Sequence, residues 1–440
     1  MIMHTLKVGF IGAGGFARAF LPLFKAHPQV RAVSVADLRL ERAREAAMQV
    51  GIREVYGSAE EVLRSDCDAV AIFTQRETHG PLALAALGAG KHVYCAVPAG
   101  LSVDEIGRLV EAVRLSGLTY MMGETSLYYP STLFCRAMWR AGAFGHFVYG
   151  EGEYMHDMEH GFYDAFRHSG GAQWKRKAGL PPMYYPTHTA SMIAGVTGAH
   201  FTHVSCLGWA DRHRDGIFRP EGNEWGNSFS NETALLRTSD GGCARLNEFR
   251  RIGHQGGRSV RLSLFGTSGS FEEQPGADVW VNHALEVYDV GELLRCAPVT
   301  ERDRARAPMG VQEDFYSGMA PVHPAWRLPA SFAGLDNGHH GSHQFLVDDF
   351  VRACLSGALP SGNVWAAARF NLPGIIAHES AVREGERLPV PDLGDPPTGS
   401  VFLDDVLERE APAGGYWKLP KRVRTGTRYW QTTLDDVCEQ

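Results

Sequence analysis

The sequence predicts an α/β protein: an N-terminal doubly wound parallel sheet, then a C-terminal α/β domain with an open antiparallel sheet. Three observations carry this. Over residues 1–124, short apolar runs alternate with Ala-rich amphipathic stretches, the pattern of strands buried on both faces between helices. A glycine-rich turn joins the first apolar run to the first helical stretch. From about residue 143 the texture changes to strands of alternating apolar and polar residues in series, which suits an open antiparallel sheet.

The elements follow in order. KVGFIG (7–12), VRAVSVAD (30–37), DAVAIFT (68–74), KHVYCAV (91–97) and LTYMMGE (118–124) read as strands, with LERAREAAMQV and GPLALAALGAG among the helices between them. FGHFVYGEGEYMHD opens the second domain as an extended strand, followed by a Gly-, Pro- and His-rich loop and a helix over 187–197. NETALLRTS, GCARLNEFRR and SVRLSLFG are strands within 201–273. Residues 300–340 have little periodicity, and SHQFLVDDFVRACLSG and WAAARFNLPGIIAHESAVREG are two helices. The expected division is 1–124, 125–398 and a tail, 399–440. The tail carries Tyr416, Trp417, Tyr429 and Trp430. Four exposed aromatics would be costly, so it is expected to pack on its own or a neighbouring subunit.

Composition narrows the function classes. The 440 residues are 44% apolar and 21% charged, with a formal net charge of −7. There is no domain-wide basic excess, so nucleic acid is not an expected partner. The eight cysteines form no Cys-x-x-Cys pair, which points to isolated thiols in a reducing compartment rather than a zinc ribbon. No apolar run approaches the roughly 20 residues that span a bilayer, and the N-terminus runs straight into a strand pattern without a signal-peptide profile. A cytoplasmic protein without membrane contact, forming homo-oligomers, is expected.

The first strand runs into Gly12-Ala13-Gly14-Gly15-Phe16-Ala17, a Gly-x-Gly-x-x-Ala match. Gly12 permits the tight turn, Gly14 lets the backbone approach a pyrophosphate at a helix N-terminus, and Ala17 lets helix and strand pack closely. The motif stands after a strand and before a helix, the context that makes it a Rossmann fingerprint. Asp37 ends the second strand, 25 residues after Gly12. An acid there accepts bonds from ribose hydroxyls and repels a 2′-phosphate, so NAD is the expected cofactor, although Arg39 close by weakens the discrimination against NADP.

Three further segments make the chain resemble the Gfo/Idh/MocA oxidoreductase family: Thr74-Gln75-Arg76-Glu77-Thr78-His79, GKHVYCAVPAGLS (90–102) and the helix around HQFLVDDFVRA. The resemblance covers about residues 5–395. It implies a Rossmann domain followed by an open-faced sheet, with the Thr74–His79 turn under the nicotinamide half of the cofactor. One departure matters. Sugar dehydrogenases of the family carry Glu-Lys-Pro after the fifth strand, whereas this chain has Ala96-Val97-Pro98 and no lysine. In this it resembles glycoside hydrolase family 109 and related NAD-dependent glycosidases, including sulfoquinovosidases. Met121-Met122-Gly123-Glu124, the segment Glu151–Asp157 with Tyr154 and His156, and Tyr185-Pro186-Thr187-His188 are similar to segments of that branch. The resemblance implies that Glu124, Tyr154, Tyr185 and His188 surround nicotinamide and sugar. It also implies that Gly12, Gly14, Gly15, Phe16, Asp37, Thr74, Gln75, His79, Val97, Pro98 and Glu124 hold NAD.

Such an enzyme avoids direct cleavage of the glycoside, which ordinarily takes two carboxylates. Oxidation at carbon 3 makes the carbon 2 proton acidic; loss of that proton expels the aglycone; water adds and the ketone is reduced again. The route needs groups that move protons. Histidine is the side chain suited to exchanging protons near neutral pH, and His188 is assigned to the oxidised carbon or the leaving group. Tyr154 is assigned to carbon 2 and needs a nearby positive charge, because an ordinary phenol titrates near pH 10. Tyr185 and Glu124 are expected to position sugar and nicotinamide. In a strand only alternate residues share a face, so His156 points with Tyr154 and Asp157 points away. Trp174, Lys175 and Arg176 lie in an expected loop that can stack on a sugar and pair with a carboxylate, sulfonate or phosphate. His340, in the His-rich approach to the next helix, is expected near the sugar, and no metal is expected. Two other readings stay open: an NAD-dependent sugar dehydrogenase that uses Tyr154 or His188 in place of the lysine, and an NAD-binding sugar sensor.

Overall fold

The computed structural model describes residues 5–253, 259–297, 318–412 and 415–423. The first domain is a six-stranded, wholly parallel sheet. Its strands are β1 (Leu6–Ile11), β2 (Val30–Ala36), β3 (Glu54–Tyr56), β4 (Ala69–Ile72), β5 (His92–Cys95) and β6 (Tyr120–Met122), in the order β3-β2-β1-β4-β5-β6. Among its helices are α1 (Gly15–Ala26), α2 (Leu40–Val50), α3 (Ala59–Arg64), α4 (His79–Gly88) and α5 (Val103–Ser116). The order reverses between β1 and β4, and in such sheets ligands bind in the crevice outside the carboxyl ends of the strands at that point. The five expected strands lie within a few residues of their predicted bounds. β3 is an additional three-residue edge strand, too short to carry a periodic signal.

The second domain is built on a nine-stranded sheet, ordered β14-β13-β12-β11-β7-β10-β9-β8-β15. Its strands are β7 (Phe147–Met155), β8 (Phe201–Ala210), β9 (Phe229–Thr238), β10 (Cys243–Phe249), β11 (Val260–Gly266), β12 (Gly269–Gln274), β13 (Ala277–Asn282), β14 (Val287–Asp289) and β15 (Leu388–Pro389). The expected antiparallel sheet is in fact mixed, because β10 runs parallel to β7 at its centre. Strand direction is set by long-range connections that a one-dimensional alternation does not encode. Helix α6 (Pro130–Arg140) precedes this sheet, and α7 (Tyr163–Gly170), α8 (Trp174–Ala178) and α9 (Thr187–Thr197) interrupt it after β7. Two long helices, His343–Ser356 and Val364–Val382, follow the strands. In the tail, Trp417 packs on Phe134 and the Val423 amide bonds to the Val287 carbonyl. Tyr429 and Trp430 lie outside the described residues.

Register decides which side chains face α9. Tyr154 is opposite Glu248 in the β7–β10 pair, with Gly152 opposite Leu246 and Gly150 opposite Ala244. This parity is buried, whereas the other carries Glu151, Glu153 and Arg245, which pair with one another on the open face. Gly152 lets α9 approach closely: a Cβ there would lie 2.6 Å from the Thr189 carbonyl oxygen. The helix is thereby pressed onto the strand that carries Tyr154, which brings His188 beside it.

Candidate active site

A cleft of about 1000 Å³ runs from the β1–α1 turn to the covered face of the second sheet. Its first wall is the glycine turn. Gly12 has φ +100°, and a Cβ there would meet the Phe73 carbonyl oxygen at 2.3 Å. A Cβ on Gly14 or Gly15 would meet nothing within 4 Å, so this stretch of backbone faces open space. Helix α1 has no side-chain cap and no acid in its first turn, which leaves its terminal amides and positive dipole end for an anion. Asp37 lines the cleft, accepting from the amides of Ala13 at 3.0 Å and Arg39 at 2.9 Å. Phe16, Thr74, Gln75, His79 and Val97 also line it. His79 is buried, with Nδ1 at 2.8 Å from the Pro98 carbonyl and Nε2 at 3.2 Å from that of Thr74; burial pushes its pKa down, against the pull of these two carbonyls. Pro98 itself stands behind the wall and contributes only that carbonyl, since Ala96 and Val97 occupy the surface. Donors, an acid at the second strand end and an open glycine cradle together fit a dinucleotide.

The other end of the cleft holds Tyr154, His156, Tyr185 and His188. The His188 ring lies 5.2 Å from that of Tyr154 and 5.3 Å from that of Tyr185. Tyr154 Oη and His156 Nδ1 share a hydrogen bond of 2.7 Å, and His156 stacks on Phe162 at 3.9 Å. Tyr154 and His156 thus share a face. Asp157 instead takes the amides of Glu159 and Ile252 at the strand end.

Glu124 differs from its expected place. It is fully buried and does not line the cleft. Its Oε1 accepts from His188 Nδ1 at 2.5 Å and from the Ser126 amide and hydroxyl at 2.9 and 2.8 Å. Burial alone would raise its pKa; the His188 ring, with the Thr187 and Ser126 groups, outweighs this and holds the carboxyl below its ordinary value. A carboxylate acceptor at Nδ1 fixes the His188 tautomer and leaves the Nε2 lone pair available. Glu124 is thus placed against the His188 ring and not on the cleft lining.

Two residues that sequence reasoning missed stand behind Tyr154. The Arg250 guanidinium lies over the Tyr154 ring at 4.8 Å and donates to Glu248 Oε2 at 3.1 Å. Glu248 Oε1 accepts from Thr189, the residue after His188, at 2.9 Å. Desolvation pushes Glu248 up to about 8 against the opposing pull of Arg250 and Thr189. Burial also pushes the Tyr154 phenol well above its usual value, and Tyr185 adds to this while Arg250 opposes it. Tyr185 is pushed up to about 12 by burial, with Arg76 opposing. A signal existed in the sequence. Glu248 shares the strand parity of Ala244 and Leu246, so an acid falls on a face that alternation assigns to the core.

The proposed sugar-binding segment also differs. Trp174, Lys175 and Arg176 do not line the cleft, and they lie in a short helix, not a loop. Arg167 covers the Trp174 ring at 5.1 Å, Lys175 bonds to the Asp215 carbonyl at 3.1 Å, and the Arg176 side chain is exposed. One turn of helix in a Gly-rich stretch is too short to show a 3.6-residue period. His340 packs edge-on against Tyr129 at 4.8 Å and is off the cleft wall; its neighbour His339 lines the wall instead. The reason is local backbone: both residues are left-handed, at φ +47° and +52°, which turns successive side chains apart. Among the described residues no group of His, Cys, Asp and Glu is arranged to hold a metal ion.

Comparison with known proteins agrees with this architecture. Residues 6–124 match the model of the GFO_IDH_MocA oxidoreductase family, NAD-binding Rossmann fold. A glycosyl hydrolase family 109 protein of Streptomyces niveus is 27% identical over 413 residues, covering 88% of this chain and 77% of the relative. One from Saccharopolyspora erythraea is 33% identical over 203 residues, covering 43% and 44%. Among solved structures, levoglucosan dehydrogenase in complex with NADH and levoglucosan superposes with a TM-score of 0.67 at 19% identity, covering 88% of this chain and all (100%) of that one. Myo-inositol 2-dehydrogenase from Lactobacillus plantarum gives 0.62 at 18%, with the same coverage. Residues 6–124 are thus those of a GFO_IDH_MocA-type NAD-binding Rossmann domain, and the chain as a whole is similar to glycosyl hydrolase family 109 proteins.

Proposed function

We propose that the protein is an NAD-dependent glycoside hydrolase that works by transient oxidation at sugar carbon 3, elimination, water addition and re-reduction. The observation that carries this reading is the Glu124–His188 dyad beside Tyr154, in a site where Val97 stands in place of the dehydrogenase lysine. NAD would be held by Gly12, Gly14, Gly15, Phe16, Asp37, Thr74, Gln75, His79 and Val97, and would supply a hydride acceptor that is restored within the cycle. His188 Nε2, with its tautomer fixed by Glu124, takes the proton of a sugar hydroxyl and returns it. Tyr154 exchanges the proton of carbon 2, with His156 bonded to its hydroxyl. The positive charge that a phenol needs for this work comes in part from Arg250. Tyr185 and His156 shape the sugar pocket. An acidic sugar, a uronide or sulfoquinovoside, is the preferred substrate class.

The chain acts in the cytoplasm on this reading, supported by its free thiols at Cys67, Cys95, Cys135 and Cys206. No described helix is long and apolar enough to cross a membrane. Copies associate through the open sheet face, where Leu207, Trp209 and Leu235 are exposed on adjacent strands; light scattering showing a monomer at micromolar concentration would rule this out. A panel of nitrophenyl glycosides, neutral and acidic, tests the function itself. The expected outcome is aglycone release without stoichiometric added NAD. Accumulation of NADH and ketosugar without aglycone release would instead make the protein a sugar dehydrogenase, the reading favoured by its likeness to dehydrogenases of the same fold.

A further inference from the structure

The three cations of Trp174–Ala178 do not reach the cleft, but a different arginine does. Arg76, in the turn between β4 and α4, is half-buried in the cleft wall. Its guanidinium lies 4.9 Å from the Tyr185 ring centroid and 5.2 Å from that of Phe166. It makes no ion pair and its side chain donates no hydrogen bond among the described residues. Three arginines of the second domain show the contrast: Arg251, Arg261 and Arg327 are each paired with a carboxylate.

The reason Arg76 has no counter-ion is local. The adjacent carboxylate, Glu77, is held by Lys177 Nζ at 2.6 Å, and Lys177 also binds Glu224 at 2.7 Å. Lys177 thus pairs with the acid that follows Arg76 in the chain and ties the turn to α8. Two aromatic contacts orient the guanidinium plane, which pre-organises its fork of donors. An arginine held this way matches a planar or tetrahedral oxyanion, and it strengthens when a ligand displaces the surrounding water.

We propose that Arg76 is the anchor for an anionic substituent of the sugar: a carboxylate, sulfonate or phosphate. Its place favours the sugar over the phosphates of the dinucleotide. Arg76 lies over Tyr185, whose ring is 5.3 Å from that of His188, whereas the open glycine backbone that suits a pyrophosphate is in the β1–α1 turn. The assignment rests on the proposed reading of the cleft as a glycoside site, and it gives that site a substrate class.

The test is calorimetric titration of NAD-loaded protein with methyl glucuronides, the corresponding methyl glucosides and a methyl glycoside carrying a 6-sulfonate. Wild type should bind at least one anionic probe about ten- to a hundredfold more tightly than its neutral counterpart, the effect of a charge-assisted contact. Arg76→Gln should bring that ratio close to one. Arg76→Lys, which keeps the charge without the fork, should retain part of it, and this separates loss of the contact from loss of folding. NAD affinity of the three proteins is titrated separately. A wild-type ratio near one overturns the proposal, as does a loss of NAD affinity in Arg76→Gln equal to the loss for anionic sugars. Aglycone release tells the two readings apart. Hydrolysis of neutral and acidic glycosides alike removes the anion anchor and keeps the glycosidase. Anion binding through Arg76 with no release of any aglycone keeps the anchor and removes the glycosidase.

Discussion

Glu124 lies outside the cleft, yet on the proposed reading the proton chemistry of the site turns on it. Its carboxylate accepts the Nδ1 proton of His188, so Nε2 is the nitrogen left to take a proton. Glu124→Gln removes the charge that favours the imidazolium and weakens the hold on the tautomer. It should lower kcat by about a hundred- to ten-thousandfold, the range of a positioned acid–base group, while calorimetric NAD affinity stays close to wild type. Turnover unchanged in this variant would mean that the dyad only supports the fold. Glu248 makes a separate prediction, about stability. Its folded pKa is raised to about 8 from an ordinary 4.5 by desolvation. Between those values the folded protein holds a proton that the unfolded chain has lost, so stability falls as pH rises through this window. Glu248→Gln removes that proton binding. The decline of Tm from pH 5 to 8 should therefore be shallower in the variant than in wild type; identical slopes would show that Glu248 titrates normally.

At the scale of elements, the β1–α1 turn offers a clean separation of folding from binding. Gly14 has φ −69° and ψ 178°, an ordinary extended conformation, and a Cβ there would face open space. Gly14→Ala should keep the wild-type Tm and lose NAD binding, because the methyl group occupies the cradle. Gly12 differs in both respects: its φ of +100° and the Phe73 carbonyl forbid a side chain. Gly12→Ala should cost about 1–3 kcal/mol of stability from backbone strain alone, read as a lower denaturant midpoint, with the clash adding to it. Equal NAD affinity in Gly14→Ala and wild type would place the dinucleotide elsewhere. These elements were legible because local pattern alone defines them: an apolar strand, a glycine turn and an amphipathic helix lie within about two dozen residues. The helix over 187–197 matches α9 for the same reason. The Arg250–Glu248 support behind Tyr154 was not read, because it depends on the parallel pairing of β7 with β10, about 94 residues apart in the chain. Glu124 is legible as a residue near the site, but its full burial and its bond to His188 are not. A motif puts it near the site, and only the burial of the chain after β6 shows which way the carboxylate faces. Trp174, Lys175 and Arg176 lie between the Tyr154 and Tyr185 segments in the chain, but that placement and their chemistry do not specify which side of a helix meets the cleft.

The whole molecule joins two sheets of different construction around one cleft. The parallel sheet supplies the crevice at its β1–β4 reversal, and the mixed sheet supplies a buried face whose polar side chains, Tyr154 and Glu248, lie under α9. Neither domain alone contains the site: Glu124 and the glycine turn come from the first, Tyr154 and His188 from the second. The fold is shared with sugar dehydrogenases, so fold alone does not separate net oxidation from hydrolysis. Isotopes do. A glycoside that this protein cleaves is incubated in heavy water, and the released sugar is examined at carbon 2 by NMR. Incorporation of deuterium at carbon 2, together with retention of a deuterium placed beforehand at carbon 3, is the expected result. Release of the aglycone with no exchange at carbon 2 would contradict the redox route and require direct displacement at carbon 1.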